Sequence, residues 1–230
     1  MKNPRQQFEN ATSRVLVEDE SAVDAFNAAN VGSSDYRIQS QLLPEPFIGN
    51  SNANVYLLGL NPGYSPEDDA WHSNSQFQKA IINNLGHRKA PRPFYFFESR
   101  FESSPGAIWW NSKCRWLIDD VGLDSISQNL FCVELFPYHS KKYRLFPRSI
   151  SPNGLVPSAA YGAYLVRCAM EEKKTIIAMR AYSSWCKVVP GLETYSRLHR
   201  LNSAQNVSLS PKNLQSYRQI LEELQLADIQ

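Results

Sequence analysis

The sequence predicts an α/β fold in which helices cover a short, mostly parallel β-sheet. Short apolar runs of strand length alternate along the chain with longer segments of helical character. The runs end in glycine, proline or polar residues, as buried strands of parallel sheets do. A chain of 230 residues with 43% apolar content can bury one sizeable core. We therefore expect a single α/β domain over residues 46–230, preceded by an N-terminal helix and an irregular lead-in over residues 1–45.

The elements can be predicted in chain order. A polar helix is expected within Arg5–Ala29, and a segment rich in Gly, Ser, Asn and Pro leads from Val31 to Asn54. The first strand is expected at Asn54–Leu60 and the next helix at Ser75–Leu85. The later elements are expected to be a helix at Ala107–Val121, a strand at Asn129–Phe136, a helix at Ser158–Glu172, a strand at Thr175–Met179, a helical segment at Tyr182–Val188, a strand at Asn206–Leu209 and a closing helix to about Leu226.

Composition and charge favour a protein of the reduced cytosol. The segment Met1–Gln7 lacks the apolar core of a signal peptide, and no segment approaches the ~18 apolar residues of a membrane span. The cysteines are widely separated among apolar neighbours, which predicts buried free thiols: Cys114, Cys132, Cys168 and Cys186. A formal net charge of +2 permits a local patch for nucleic acid without requiring one. We expect a cytoplasmic monomer with no cofactor, no metal and no membrane contact.

The first predicted strand ends in the segment Gly59–Gly63, Gly-Leu-Asn-Pro-Gly. This places the polar Asn61 at the carboxyl end of a strand, where open α/β sheets form their ligand crevices. Pro62 favours an extended conformation for Asn61, and Gly63 lets the backbone approach a ligand closely. Asn, Pro and Gly are also the commonest residues of ordinary turns, so a plain strand-to-loop turn is the alternative.

A single carboxylate, Glu134, interrupts the otherwise apolar segment Leu130–Phe136. Carboxylates inside strands of this kind are rarely buried without a partner. Glu134 is therefore either a solvent-facing residue at the strand end, a partner of an arginine such as Arg180, or a pocket carboxylate. In a pocket it would read hydrogen-bond donors on a ligand or act as an acid or base.

Two loops combine positive charge with aromatic rings, His87–Phe97 and Tyr138–Arg148. Lysine and arginine neutralise phosphates, and aromatic faces stack on unpaired bases, so these loops favour nucleic-acid binding if both lie at one edge. Solvated surface loops are the alternative. Ser210 and Pro211 are typical of a helix start, whose exposed amide groups form a phosphate site, and Lys212 would add a charge there. Many ordinary helices begin in the same way.

These segments together resemble the uracil-DNA glycosylase superfamily, closest to its single-strand-selective and mismatch-specific branches. Both branches carry Gly-hydrophobic-Asn-Pro-Gly after the first core strand, which matches Gly59–Gly63. The single-strand-selective branch has His-x-Lys-x-Pro before an aromatic helix, similar to His87–Pro91 and the helix with Trp109. Its last core strand ends in His-Pro-Ser-Pro-Arg-Asn, which resembles Ser208–Asn213. By order and spacing of elements the resemblance covers roughly residues 46–226.

The resemblance implies a three-layer α/β/α sandwich and hydrolysis of the N-glycosidic bond of a damaged or mismatched base during DNA repair. The base would be flipped out of single-stranded or locally opened DNA. Asn61 would position the attacking water, and Ser208 occupies the second catalytic position. The base pocket would comprise Gly59, Gly63, Tyr64, Glu134 and a stacking aromatic, Phe77 or one of Phe94–Phe97. The residues expected to contact DNA are His139, Lys141, Lys142, Ser210, Pro211 and Lys212.

Two positions depart from the pattern of that family. Ser208 stands where the single-strand-selective branch has a histidine that stabilises the base anion, and Glu134 falls about where an asparagine reads the pyrimidine edge. An ionised carboxylate only accepts hydrogen bonds, so Glu134 would repel uracil O4 and prefer an edge that bears amino hydrogens. Two alternatives stay open: a nucleic-acid or nucleotide-binding module without the chemistry, and a hydrolase of small nucleosides or nucleotides.

Overall fold

A five-stranded, mostly parallel β-sheet forms the centre of an α/β fold in the computed structural model of this chain. The structure describes residue 3, residues 13–203 and residues 205–225. In chain order the strands are β1 (Phe47–Gly49), β2 (Val55–Leu58), β3 (Leu130–Val133), β4 (Thr175–Ala178) and β5 (Leu198–Arg200). Their order across the sheet is β1-β3-β2-β4-β5, with β1 antiparallel to β3 and the other described pairings parallel. The predicted α/β class with a mostly parallel sheet is confirmed.

Eight α-helices accompany the sheet in the described part of the chain. They are α1 (Val17–Ala29), α2 (Glu67–Ser73), α3 (Ser75–Leu85), α4 (Pro105–Val121), α5 (Leu123–Asn129), α6 (Ala159–Glu171), α7 (Tyr182–Val188) and α8 (Tyr217–Gln225). The predictions for α3, α4, α6 and α7 are confirmed to within two residues at each end. Side-chain caps explain two sharp starts, because Asn74 accepts hydrogen bonds from the first amides of α3 and Ser104 accepts from Ala107 in α4.

The central strand β2 determines where the functional residues converge. Leu57 of β2 lies opposite Cys132 of β3 on one side and Ile177 of β4 on the other, and every residue of these three strands is buried. Burial on both faces explains their uninterrupted apolar sequences. Because the three strands are parallel, the segments that follow Leu58, Val133 and Ala178 leave the sheet at the same edge.

Several elements differ from the sequence-based expectations. The short elements β1, α2 and α5 were not predicted, because a three-residue strand and seven-residue helices give at most a weak periodic pattern. The strand expected at Asn206–Leu209 is wrong: the last described strand is Leu198–Arg200, whose half-exposed residues conceal it in the sequence. Of the predicted N-terminal helix, only Val17–Ala29 is helical among the described residues, and residues 5–12 are outside the described part of the chain. Leu226, the predicted end of the closing helix, is also outside it.

The predicted helix start at Ser210 and Pro211 is also wrong. These residues form a turn, and α8 begins only at Tyr217. The Asn213 side chain donates to the backbone carbonyl of Ser208 at 2.9 Å, which closes the segment into a compact loop. Ser210 and Pro211 are therefore residues of a turn and not the start of a helix.

Helix α1 is held against the segment that follows β3. The buried carboxylate of Asp19 accepts hydrogen bonds from the Tyr138 hydroxyl at 2.6 Å and from the Ser158 amide at 2.9 Å. The apolar face of α1 contributes Val23 and Phe26 to a second apolar cluster that also contains residues of the post-β3 segment. The lead-in thus supports a loop that reaches the candidate site.

The structure also bears on the predictions of free thiols and of no membrane span. All four cysteines are free thiols, with Cys114 and Cys132 buried as expected and Cys168 and Cys186 half-buried. Among the described residues, every helix is too short or too polar to cross a lipid bilayer.

Candidate active site

A cleft of about 670 Å³ opens at the edge of the sheet where β2, β3 and β4 end. Its walls include Gly59–Ser65 after β2, Glu134 after β3, and Met179 and Arg180 after β4. The predicted meeting of Asn61 and Glu134 at one sheet edge is therefore confirmed. The volume lies within the range of small-molecule pockets and accommodates a base or a nucleoside.

Asn61 is anchored through the nitrogen of its side-chain amide. Nδ2 donates to the Pro62 carbonyl at 2.8 Å and to the Ser140 hydroxyl at 3.1 Å. Within the described residues, no group donates a hydrogen bond to Oδ1 of Asn61. The side chain therefore has a fixed orientation and offers a carbonyl oxygen as an acceptor at the wall of the cleft.

Glu134 lies with its carboxylate against the backbone of Gly59. A Cβ at position 59 would lie 2.1 Å from Glu134 Oε2 and 2.5 Å from Oε1, so only glycine leaves room for the carboxylate there. Cys132 Sγ contacts Oε1 at 3.7 Å, whereas Oε2 is buried and has no hydrogen-bond partner among the described residues. Glu134 is half-buried as a residue, but its Oε2 is buried, which argues against the solvent-facing alternative.

The charge of Glu134 depends on pH near neutrality. Burial raises the pKa of the Glu134 carboxyl to about 7, and the Cys132 thiol and the charge of Arg180 lower it by less. Arg180 forms no ion pair with any described residue, so the structural-pair alternative for Glu134 is wrong. Below about pH 7 the carboxyl is neutral and can donate as well as accept. The expectation of a pure acceptor therefore holds only above that pH.

Three buried titratable residues that the sequence analysis did not single out as a group also line the cleft: Glu45, His72 and His139. His72 Nε2 and His139 Nε2 each lie 3.9 Å from a Glu45 oxygen, and Tyr95 donates to Glu45 Oε1 at 2.8 Å. Burial raises the pKa of Glu45 to about 7 and lowers that of His72 to about 2, so His72 is neutral. His139 was expected at the DNA surface, but it is only 4% exposed and belongs to the cleft wall.

The aromatic residues of the cleft differ in the ring surface that they expose. Phe77 lines the cleft but is only 2% exposed, because other rings, including those of His72 and Tyr95, pack around it. Phe94–Phe97 are also buried. By contrast, Trp109 of α4 is 37% exposed and Tyr64 is half-buried at the cleft. Stacking on a base requires a free ring face, so Trp109 and Tyr64 replace Phe77 as stacking candidates.

The predicted DNA contacts fall into two groups. Lys141 and Lys142 are exposed at the cleft and both bind the Asp35 carboxylate, at 3.0 and 2.8 Å, which leaves one net positive charge. Among the described residues of the closing loop, Val207 lines the cleft, whereas Ser208, which was predicted as a catalytic residue, does not. Ser210, Pro211 and Lys212, which were predicted to contact the DNA backbone, also lie outside the cleft walls, and their contact with DNA stays a prediction.

The basic loop at His87–Phe97 does not join the cleft either, apart from Phe96. Arg88, Lys89 and Arg92 line a separate groove, and Arg92 pairs with Asp124 at 2.7 Å. The prediction that both basic loops meet at one edge is therefore wrong.

No protein-family model, curated protein or solved structure matches this chain.

We predict that Gly59→Ala displaces the Glu134 carboxylate, because the added methyl group would overlap both of its oxygens. The expected result is a loss of about 1–3 kcal/mol of unfolding free energy, measured by urea denaturation. Gly63→Ala is the matched control, since a Cβ there meets no described atom within 4 Å, and it should leave stability unchanged. Equal effects of the two changes would contradict the tight contact at Gly59.

We also predict that stability falls as the pH rises through neutrality. The pKa of Glu134 is raised from 4.5 to about 7, so its contribution is complete below about pH 4.5 and is lost as pH rises through about 7. Glu134→Gln should flatten this decline by up to about 3 kcal/mol, measured as unfolding free energy against pH. Glu102→Gln, which alters an exposed carboxylate, should retain the wild-type slope. An identical decline in both variants would rule out a buried, neutralised Glu134.

Proposed function

We propose that this chain hydrolyses the N-glycosidic bond of an extruded, damaged or mismatched base in DNA, with the three-layer fold of uracil-DNA glycosylases. The observation that carries the proposal is the pairing, in one cleft, of an anchored Asn61 with a free Oδ1 and a buried Glu134 carboxylate with an unpartnered Oε2. The first is suited to a water molecule and the second to the polar edge of a base.

In this mechanism Asn61 orients the nucleophile. Oδ1 accepts a hydrogen bond from water and directs a lone pair of the water oxygen toward the anomeric carbon of the sugar. The bond from that carbon to the base breaks with its electron pair on the base, and the sugar gains oxocarbenium character before water attacks. Because Asn61 has two donor contacts that fix its amide, little reorganisation is needed at that moment.

The distribution of charge favours a base inside the cleft and phosphates outside it. Three carboxyl groups line the interior, from Glu45, Asp68 and Glu134, and these would repel a phosphate. The cations that line the cleft are exposed: Lys141, Lys142 and Arg180. A nucleic acid whose backbone stays at the surface while one base enters satisfies both regions.

A binding module without the chemistry is the second candidate, and one observation favours it. Ser208, which stands in the position of the family's electrophilic histidine, does not line the cleft. Salt-dependent binding of single-stranded DNA with no abasic product would support this candidate. The decisive assay is an oligonucleotide panel that carries uracil, hypoxanthine, xanthine and alkylated bases. No abasic product from any member, with folded protein, would contradict the hydrolase; turnover of free nucleosides with weak DNA affinity would favour a nucleoside hydrolase.

We predict that Asn61→Ala lowers turnover by about 100-fold or more while folding and DNA affinity stay near wild type, because the water loses its positioning acceptor. Single-turnover kinetics, denaturation and binding measurements check the three quantities separately. Asn202→Ala, which changes an exposed asparagine outside the cleft, is the control. A loss of activity that matches a loss of folded protein would remove Asn61 from the mechanism.

We further predict that base preference changes with pH through Glu134. Well below about pH 7 the neutral carboxyl can donate to a carbonyl edge, and well above it the carboxylate accepts from amino hydrogens. The ratio of activity on amino-bearing bases to activity on uracil should therefore rise by about tenfold across neutrality. In Glu134→Gln, whose amide does not titrate, the ratio should stay flat. A wild-type ratio that is constant with pH would show that Glu134 does not read the base.

A further inference from the structure

We propose that Glu45 and His139 form a pair that shares one proton and presents it, at His139 Nε2, to a polar atom of the ligand in the cleft. This inference rests on the proposed function in one respect: for the hydrolysis above, the recipient is the departing base. The pair would supply the acid that Ser208 does not provide from outside the cleft.

Hydrogen bonding fixes the ring atom of His139 that can change its protonation. Nδ1 lies 2.7 Å from the Gly63 carbonyl oxygen. A carbonyl only accepts, so Nδ1 carries a hydrogen and donates it. The remaining nitrogen, Nε2, is buried and has no hydrogen-bond partner among the described residues. Nε2 is therefore the ring atom of His139, a residue of the cleft wall, that is left for a ligand or for Glu45.

One carboxylate oxygen of Glu45, Oε2, remains for the proton that is shared with His139. Oε1 accepts from the Tyr95 hydroxyl at 2.8 Å and faces His72 Nε2 at 3.9 Å. The Leu43 amide donates to His72 Nδ1 at 3.2 Å, so neutral His72 keeps its hydrogen on Nε2 and points a donor toward Oε1. Oε2 faces His139 Nε2 at 3.9 Å. That distance is too long for a direct hydrogen bond, so neither atom is satisfied by the other.

Burial keeps a proton on the pair near neutral pH. The pKa of Glu45 is raised to about 7, mainly by burial and also by the carboxylates of Asp68 and Glu134, although His139 and the Tyr95 hydrogen bond act in the opposite direction. Burial, together with the charges of His139 and Arg14, opposes protonation of His72, so His72 does not compete for the proton.

The proposed step balances without another reactant. The bond between the anomeric carbon and the base breaks with its electron pair on the base, and His139 Nε2 gives its proton to that base. The oxygen of the water held by Asn61 bonds to the anomeric carbon. The proton released by this water restores the Glu45–His139 pair through Glu45 Oε2. The net reaction consumes one water and leaves the protein unchanged.

The same three side chains could be taken for a metal site, since their ligand atoms lie within 4.8 Å of one another. The hydrogen bond from Leu43 argues against it. A neutral histidine that binds a metal through Nε2 must carry its hydrogen on Nδ1, but Nδ1 of His72 is the acceptor for the Leu43 amide. Only Glu45 and His139 would remain as ligands, fewer than a zinc ion requires.

The first experiment uses the free protein and does not depend on any reaction. Nitrogen-15 NMR of the histidine rings against pH should show His139 as the Nδ1–H tautomer at high pH. In Glu45→Gln the Nε2 signal of His139 should change, since the carboxylate oxygen 3.9 Å from that nitrogen is replaced by an amide. Tyr95→Phe keeps the ring packing and removes only the hydroxyl, so it is the alternative variant if Glu45→Gln does not fold. Because the hydrogen bond from Tyr95 is lost, the Glu45 carboxyl should titrate at higher pH in this variant. Three results would overturn the proposed pair. They are an Nε2–H tautomer of His139, an Nε2 signal and a Glu45 titration that do not change in the variants, and stoichiometric binding of zinc that is lost in both Glu45→Gln and His139→Gln.

The second experiment tests delivery of the proton to the base. His139→Gln should lower turnover by about 100-fold on neutral bases and remove the alkaline limb of the pH profile. A purine methylated at N7 leaves as a neutral molecule and needs no acid, so its turnover should stay within about threefold of wild type. His199→Gln, a half-buried histidine outside the cleft, is the control. Equal losses on both substrates would assign His139 a structural role only. If wild-type protein cleaves no substrate but the NMR results hold, the proposed hydrolysis fails and the pair stands.

Discussion

The candidate site depends on the contact between the carboxylate of Glu134 and the bare backbone of Gly59. Gly59 is the first residue after β2, its amide donates to Val133 at 2.9 Å, and its carbonyl accepts from the Trp185 indole at 2.7 Å. With the backbone held from both sides, the missing side chain leaves the space that the carboxylate occupies. Burial in that space gives Glu134 its raised pKa. The absence of a side chain at Gly59 thus permits the burial that raises the pKa of Glu134.

The loops after β2 and β3 orient one another, which links the two proposed catalytic groups. The Ser140 hydroxyl receives the amide of Asn61, and the Gly63 carbonyl receives Nδ1–H of His139. The first contact leaves Asn61 Oδ1 as an acceptor for water, and the second leaves His139 Nε2 without a hydrogen-bond partner among the described residues. Each loop therefore fixes the functional atom of the other. Helix α1 supports this arrangement from behind, since Asp19 binds Tyr138, the residue before His139.

The apolar strand pattern of the sequence predicted both the fold class and the positions of Asn61 and Glu134 in the cleft. Buried parallel strands are continuous apolar runs, and residues directly after them must meet at one edge, which located Asn61 and Glu134. Glu45 and His72 escaped prediction because they lie in an irregular segment and a two-turn helix, where no periodicity marks burial. Ser208 was misplaced because the Asn213 side chain closes its loop, a contact that no local propensity reveals.

Two carboxyl groups with pKa values near 7 give the cleft a property that neither would have alone. Ionised Glu134 raises the pKa of Glu45, so ionisation of one carboxyl opposes ionisation of the other. At neutral pH the cleft therefore retains a proton in its interior, while Lys141 and Arg180 lie at its exposed surface. In the proposed hydrolysis, an interior that resists a second negative charge would favour a base that takes up the retained proton as its bond to the sugar breaks. Under that proposal, the water-orienting amide of Asn61 and the buried acids act on the same bond, which accounts for their presence in one cleft.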